Sequence, residues 1–337
     1  MTITLNIRIR TMFIRYFTFS ILSIIFLNSC QNPKKYNYIN GKALGTSFSI
    51  IYDDNHDFSH AIDSLFSVVN HSLSTYHKNS IISKINKGDS LAKIDSHFKT
   101  VYTKAKRIYK ETKGLFDPTV GTLVNAYGFG PEKPINNIDS VQLQKLMQLV
   151  GFDKVKIQNN TIYKENPQIY IDFNAIAKGY AIDVIGKFLE EKSIKNYMVE
   201  VGGEVRVRGV NSKNKLWKIG IEKPLTDGSR ALETTVSLEN KAMATSGNYR
   251  KFKIDTQGRK FVHTINPKTG LTAQNDLLSA TVIAQLDCAD VDGYATSFMV
   301  MGFQNTLDFL KNHPELEVFL IYIDENGITQ TYTNIKK

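Results

Sequence analysis

At 337 residues, 42% hydrophobic and with aromatic residues throughout, the chain can bury a core for one large domain or two lobes, which excludes a disordered polymer. Its formal charge of +10 admits nucleic acid, a membrane surface or an anionic ligand as partner. The lysines are nevertheless spread thinly, without the dense basic run of a nucleic-acid binder, and read as solvated surface.

The first 29 residues read as an export signal. Arg8, Arg10 and Arg15 precede an apolar run from 16 to 27, too short for a bilayer that needs about 20 residues. The run closes on Leu27-Asn28-Ser29-Cys30, which resembles the lipobox of bacterial lipoproteins and predicts acylation of Cys30. An ordinary cleaved signal or an uncleaved anchor is the competing reading. A polar tether is expected over 30–38 and a globular domain over 39–337. Loss of the three arginines on cleavage lowers the formal charge from +10 to +7. With Cys30 acylated, Cys288 has no disulfide partner, so the fold must hold by its core in an oxidising compartment. The expected location is a bacterial cell membrane, lipid-anchored on its extracytoplasmic or periplasmic face.

Gly41-Lys42-Ala43-Leu44-Gly45-Thr46-Ser47 leads into a strand, and its small residues leave room for a ligand to approach the backbone. Ala61, Leu65, Val68 and Ser72 with Ile62, Phe66, Val69 and Leu73 predict a mostly buried helix. Phe98, Val101, Tyr102, Ala105, Ile108 and Tyr109 share one face of a second helix, stopped near Gly114. Then comes a glycine-rich loop, Gly114-Leu115-Phe116-Asp117-Pro118-Thr119-Val120-Gly121, followed by Asn125-Ala126-Tyr127-Gly128-Phe129-Gly130-Pro131. Its rings either stack on a planar heterocycle or pack on the loop itself.

A strand over 169–173 is expected to end in Asp172 and run into a helix with an apolar face at Ile176, Tyr180, Ala181, Val184, Ile185 and Phe188. Free amides at that helix start, with Lys178 beside them, suit a phosphate; a plain capped helix is the alternative. Neither G-x-G-x-x-G nor a Walker-type pattern occurs there, so no Rossmann turn or P-loop is supported. Strand-like segments follow at 197–201, 205–207, 217–221, 234–238, 279–284 and 318–323, joined by Gly, Asn or Asp turns that favour antiparallel pairing. The class is therefore α+β, or mixed α/β. Asp290-Val291-Asp292-Gly293-Tyr294-Ala295-Thr296 opens a last helix, where Asp292 and Thr296 stand four apart and present oxygens from one face. A carboxylate plus a hydroxyl suits Mg²⁺ or Ca²⁺, and Mg²⁺ fills its remaining positions with water and substrate phosphate. A carboxylate placed for the helix dipole is the competing reading.

Together these stretches resemble the ApbE family of flavin transferases over essentially the whole mature chain. The matching blocks are Ala43-Leu44-Gly45-Thr46, Ser74-Thr75-Tyr76, Phe116-Asp117-Pro118-Thr119-Val120-Gly121, 172–180, Gly202-Gly203-Glu204-Val205, Thr245-Ser246-Gly247-Asn248-Tyr249, His263-Thr264-Ile265-Asn266-Pro267-Lys268-Thr269-Gly270 and 292–302. The chain departs from the family at Phe173-Asn174, where a small residue is usual, and at Leu44, which replaces a frequent methionine.

The resemblance implies an ApbE-like fold of largely antiparallel sheets packed by helices. It further implies that FAD is the substrate, held by Leu44, Tyr76, the turn Leu115-Phe116-Asp117, Asp172, Lys178 and the backbone near Ile265. Mg²⁺ would be held by the carbonyl of Ala175 and the side chains of Asp292 and Thr296. The implied reaction moves FMN from FAD to a threonine hydroxyl of an acceptor protein and releases AMP. The acceptor would be an exported redox-complex subunit carrying a Ser/Thr-Gly-Ala-Thr-like segment. His263 is the candidate base for the hydroxyl proton, with a structural histidine as its competitor, and Asp292 is the alternative base. The same site with water as nucleophile would split FAD into FMN and AMP, and without turnover it would be a flavin-binding lipoprotein.

Overall fold

The computed structural model describes residues 36–135, 138–225, 229, 231–248, 252–254, 260–273 and 275–336. The export signal, Cys30, the tether as far as Lys35, and Tyr249 lie outside the described residues. Among the described residues, no helix is long and apolar enough to cross a membrane.

The strands are β1 (Asn37–Ala43), β2 (Thr46–Tyr52), β3 (Val155–Gln158), β4 (Thr161–Lys164), β5 (Tyr197–Val201), β6 (Glu204–Arg208) and β7 (Trp217–Glu222). They continue with β8 (Leu232–Leu238), β9 (Ala242–Gly247), β10 (Phe252–Ile254), β11 (Lys260–Val262), β12 (Leu277–Ala284), β13 (Glu317–Ile323) and β14 (Thr329–Thr333). One eight-stranded sheet runs β1-β2-β5-β6-β9-β12-β13-β14 with every pairing antiparallel. The pairs β3-β4, β7-β8 and β10-β11 stand apart as hairpins.

Strand period two sorts the side chains between the sheet's faces. Ile50, Tyr52, Val199, Val201, Ala242, Ala244, Ala280 and Val282 point to one core, while Ile51, Met198, Val205, Val207, Met243 and Ile283 point to the other. The second face is closed by the β7-β8 hairpin through Trp217, Ile219, Ile221, Val236 and Leu238. The first is closed by helices α1 (Ser59–Leu73), α3 (Ser96–Glu111), α6 (Asn174–Glu191) and α7 (Cys288–Met301). Shorter helices α2 (Ile81–Asn86), α4 (Gly121–Ala126), α5 (Ser140–Met147) and α8 (Phe303–Leu310) complete the chain.

The expected helices form where the periodicity places them. In α3 the apolar face is buried, Asp95 caps the start by accepting the Phe98 N–H at 2.8 Å, and Gly114, at φ +78°, donates its N–H to Tyr109 O. In α1, Val68 departs from the expected burial and is exposed. Helix α7 is buried on all sides, so amphipathic periodicity cannot mark it; it starts at Cys288, two residues before the expected opening. The alanines of β9 and β12 leave the space it fills.

Three expectations need correction. The 169–173 segment is extended but pairs with no strand: Ile171 exchanges hydrogen bonds with the Asn86 carboxamide at 2.8 Å each way, and Asp172 N–H donates to Pro118 O. Its backbone is satisfied by a side chain and a loop, which no strand pattern encodes. The Gly41–Ile50 stretch is a hairpin, turning at Leu44 and Gly45 with φ of 51° and 78°. The sheet also claims the end of the expected tether, since β1 begins at Asn37 and the Tyr36 hydroxyl donates to Val210 O.

Candidate active site

The site is built where α6 crosses α7. Gly179 lies so close to α7 that an added Cβ would stand 2.4 Å from Cys288 O, so only glycine permits this approach. Asp183, one turn further along α6, accepts the N–H groups of Cys288 (2.8 Å) and Ala289 (2.9 Å) and so caps α7 from its neighbour. Arg206 of β6 holds Asp183 in turn, at 2.7 Å. These contacts fix how α7 is rotated against α6.

With that rotation, buried Asp292 faces α6, and its Oδ2 accepts the Gly179 N–H at 3.1 Å. Helical geometry directs the same N–H at the carbonyl of Ala175, four residues earlier. The Ala175 carbonyl and the Asp292 carboxylate therefore flank one amide. Thr296, one turn along α7, is half-buried where its neighbours are buried, and its hydroxyl meets Ser246 Oγ of β9 at 3.2 Å. No group of three or more His, Cys, Asp or Glu side chains suited to a metal is present among the described residues. The oxygens assembled here are a carboxylate, a hydroxyl and a carbonyl, a sparse hard set.

Lys178, next to Gly179, forms an ion pair with Glu204 Oε1 of β6. Desolvation works to lower its pKa, but Glu204 and Asp292 outweigh it and hold the ammonium charged. Burial raises the pKa of Asp292, opposed by Lys178 and reinforced by Glu204. Glu204 is 3% exposed, and its Oε2 has no hydrogen-bond partner among the described residues. Glu204 stands in a block that matches the family but is not among the residues the sequence marks for the site. Its alternation with Val205, which faces the hairpin side, is the signal that it points toward the helices.

A cleft of about 490 Å³ opens beside this cluster. Leu44, Leu73, Tyr76, His77, Asn174 and Lys178 line it, so three predicted ligand-binding residues share one recess. Asp172 lies at its edge, half-buried, and accepts both the Asn174 N–H (2.7 Å) and the Asn174 amide (3.1 Å). Desolvation pushes its pKa up to about 6 despite those donors. Asp172 thus takes the Asn174 amide, while the Ile176 and Ala177 amides go to Phe173 O. The α6 start consequently presents fewer free N–H groups than its sequence suggests.

Of the two readings of the glycine-rich loop, packing holds at Phe116. Phe116 is buried in the main core, its ring reaching to Gly293 of α7, and is therefore not open to a heterocycle. Asp117 is also buried: Oδ1 accepts the Thr119 N–H and hydroxyl, and Oδ2 accepts the Phe152 N–H at 3.2 Å. Burial raises its pKa. Leu115 is partly buried against the core. Outside this loop Tyr76 is exposed, and its hydroxyl donates to Phe129 O at 3.4 Å.

Phe129 in turn stands edge-on to His263, with ring centroids 6.4 Å apart. The neighbouring Thr264 hydroxyl donates to Asn248 at 2.7 Å, two residues from the Ser246 that meets Thr296. Phe129 thus joins His263 to Tyr76 of the cleft wall. Ile265 packs its side chain against α4 and α5. It pairs with Thr272 between two flanking bonds, Ala273 N–H to Thr264 O and Asn266 N–H to Leu271 O, so its own amide and carbonyl face the opposite edge.

A recess with an apolar wall and an ammonium fixed by a buried carboxylate suits a planar group joined to phosphate. Comparison with known proteins agrees. The ApbE family model matches residues 44–320. The chain is 37% identical over 327 residues to the FAD:protein FMN transferase of Haemophilus influenzae, covering 92% of this chain and 94% of that protein. Over 320 residues it is 33% identical to the FAD:protein FMN transferase of Vibrio cholerae, with 92% and 95% covered. The solved flavin transferase ApbE from Vibrio cholerae superposes with a TM-score of 0.79 at 34% identity, covering 89% of this chain and 97% of that one. The match runs from the Leu44 turn through the α6–α7 crossing to β13, and on that basis the chain belongs to the ApbE family.

Proposed function

We propose that this chain transfers the FMN half of FAD to a threonine hydroxyl of an acceptor protein, with Mg²⁺ at the α6–α7 crossing, and releases AMP. The observation that carries the reading is the meeting of Asp292 with the Gly179 amide beside Lys178. In the reaction the acceptor oxygen bonds to the FMN phosphorus, the bond from that phosphorus to the AMP phosphate breaks, and the hydroxyl proton passes to a base.

Lys178 supplies fixed positive charge to the diphosphate oxygens. Leu44 and Tyr76 provide the apolar and aromatic surfaces of the cleft, and Asp172, held against the lining residue Asn174, would accept hydrogen bonds from the ligand. Asp117 is spent on its own turn, so Leu115-Phe116-Asp117 contributes backbone and shape rather than a free carboxylate. The edge-facing backbone of Ile265 offers one further donor and acceptor.

The residues fit Mg²⁺: Asp292, Thr296 and the Ala175 carbonyl are hard oxygens, and the remaining positions would go to water and phosphate. Bound there, the cation would neutralise charge developing on the diphosphate and orient its phosphorus. His263 is the base we favour, because its ring meets Phe129, whose carbonyl accepts the hydroxyl of the cleft residue Tyr76, and imidazole is the side chain most often used to accept such a proton. Asp292, though it holds a proton more tightly than an exposed carboxylate, would be committed to the cation.

Export and acylation at Cys30 would tether the enzyme to the extracytoplasmic membrane face, where an exported redox subunit with a Ser/Thr-Gly-Ala-Thr-like segment is the acceptor. Cys30→Ser should move the protein to the soluble fraction; unchanged fractionation refutes the anchor. The activity is tested by incubating purified mature protein with FAD, Mg²⁺ and such a peptide. An FMN mass increment on the peptide with stoichiometric AMP supports the reading. Free FMN and AMP with an unmodified peptide makes the chain a pyrophosphatase, and intact FAD makes it a binder.

A further inference from the structure

The cluster at the α6–α7 crossing holds two buried carboxylates, Glu204 and Asp292, against one ammonium, Lys178. Asp292 has the Gly179 N–H. Glu204 has Lys178 on Oε1, while Oε2 is buried without a partner among the described residues. A buried carboxylate oxygen left without a donor carries its full desolvation penalty, so buried polar atoms are as a rule partnered. Retaining a carboxylate there, paired with Val201 across the sheet and followed by buried Val205, calls for a partner that arrives later.

Position supports the same view. Glu204 follows the Gly202-Gly203 turn, where φ is +63° and +106°, and this tight reversal sets the first residue of β6 directly beneath α6. Its charge is felt by both Lys178 and Asp292. With both carboxylates ionised the three groups carry one net negative charge, which a divalent cation would convert to one net positive charge, the sign needed to receive a diphosphate.

We propose that Glu204 is a second carboxylate of the divalent-cation centre, joining Asp292 through Oε2 either directly or through a bound water. The proposal rests on the cation reading given above. It assigns Glu204 two tasks from one side chain: Oε1 orients the Lys178 ammonium and Oε2 faces the cation.

The test measures cation binding without FAD, so it does not depend on turnover. Mn²⁺ serves as the probe, titrated into the ligand-free protein and followed by the loss of free Mn²⁺ signal in electron paramagnetic resonance. Glu204→Gln keeps the shape and an acceptor for Lys178, and should weaken Mn²⁺ binding about tenfold or more. Glu204→Asp, which retains the charge on a shorter stem, should fall between wild type and the glutamine variant, and serves if the latter does not fold. Asp292→Asn is the control for the underlying reading. If Asp292→Asn abolishes Mn²⁺ binding while a folded Glu204→Gln binds as wild type does, the cation site stands and Glu204 is only a partner of Lys178. If wild type itself binds no Mn²⁺ at the site, the cation reading fails and the proposal with it.

Discussion

The two faces of the main sheet solve different problems with the same strands. Under the β7-β8 hairpin, Val205, Val207, Met243 and Ile283 meet Trp217, Ile219, Ile221, Val236 and Leu238, apolar against apolar. On the helical face Asp183, Glu204, Asp290 and Asp292 lie buried among isoleucine, alanine and phenylalanine. Each of those charges has named partners: Asp183 the α7 amides and Arg206, Asp290 the cations of Lys104 and Arg107, Glu204 the ammonium of Lys178, and Asp292 the Gly179 amide. Buried charge is a poor way to stabilise a fold, because desolvation offsets much of the Coulombic gain. The hairpin face accordingly serves stability, and the helical face gives up some of it for chemistry.

The largest expected break in this division is Asp292→Ala. Transfer should fall at least about 10²-fold, the scale of losing one electrostatic contact to the developing charge, while far-UV circular dichroism stays native. A variant transferring FMN at the wild-type rate, read by acceptor mass, places the chemistry elsewhere.

Gly179→Ala acts on the crossing rather than on a ligand. Its Cβ would meet the backbone at Cys288 O at 2.4 Å, so the helices must part. A stability loss of about 1–3 kcal/mol in urea is expected, together with a fall in rate per folded molecule. Retained activity at reduced stability would show that the crossing need not be this close.

Trp217→Ala supplies the converse on the hairpin face. The side chain is 5% exposed and its Nε1–H donates to Arg208 O at 3.1 Å. Removing it should cost about 3–5 kcal/mol, yet leave the rate per folded molecule unchanged below the unfolding transition. A specific effect on kcat would erase the distinction between the faces.

The smallest effect is the pH response of Asp172. Its folded pKa of about 6 lies above the unfolded value, so ionisation costs stability. The ligand-free protein escapes that cost below about pH 4 and bears it in full above pH 6, with the change between. FAD affinity has the opposite sign, because the carboxylate form holds the ligand. It should weaken a few-fold as pH drops through about 6, and Asp172→Asn should flatten that limb.

Much of this architecture was legible from periodicity and turns, because α1 and α3 each have one apolar face; α6 is buried on several sides, with Ile182 and Leu189 in the core beyond its expected face. The rest was hidden for identifiable reasons. The 169–173 segment looks like a strand, but its hydrogen bonds go to the Asn86 side chain and to Pro118 O, distant partners that no local pattern reveals. Phe116 in a glycine-rich loop resembles a stacking platform until the loop folds onto Gly293. Within the site, the four-residue spacing of Asp292 and Thr296 was readable on one helix. Glu204 and Asp183 were not, since their importance comes only from the contact between α6, α7 and β6, which is a tertiary fact.

The most direct measurement is a crystal of the mature protein grown with FAD and Mn²⁺ and examined by anomalous scattering. A single strong manganese peak is expected within bonding distance of Asp292, Thr296 and the Ala175 carbonyl, touching the diphosphate beside Lys178. A bound diphosphate with no manganese at that crossing, or manganese only at a different place, would contradict the account.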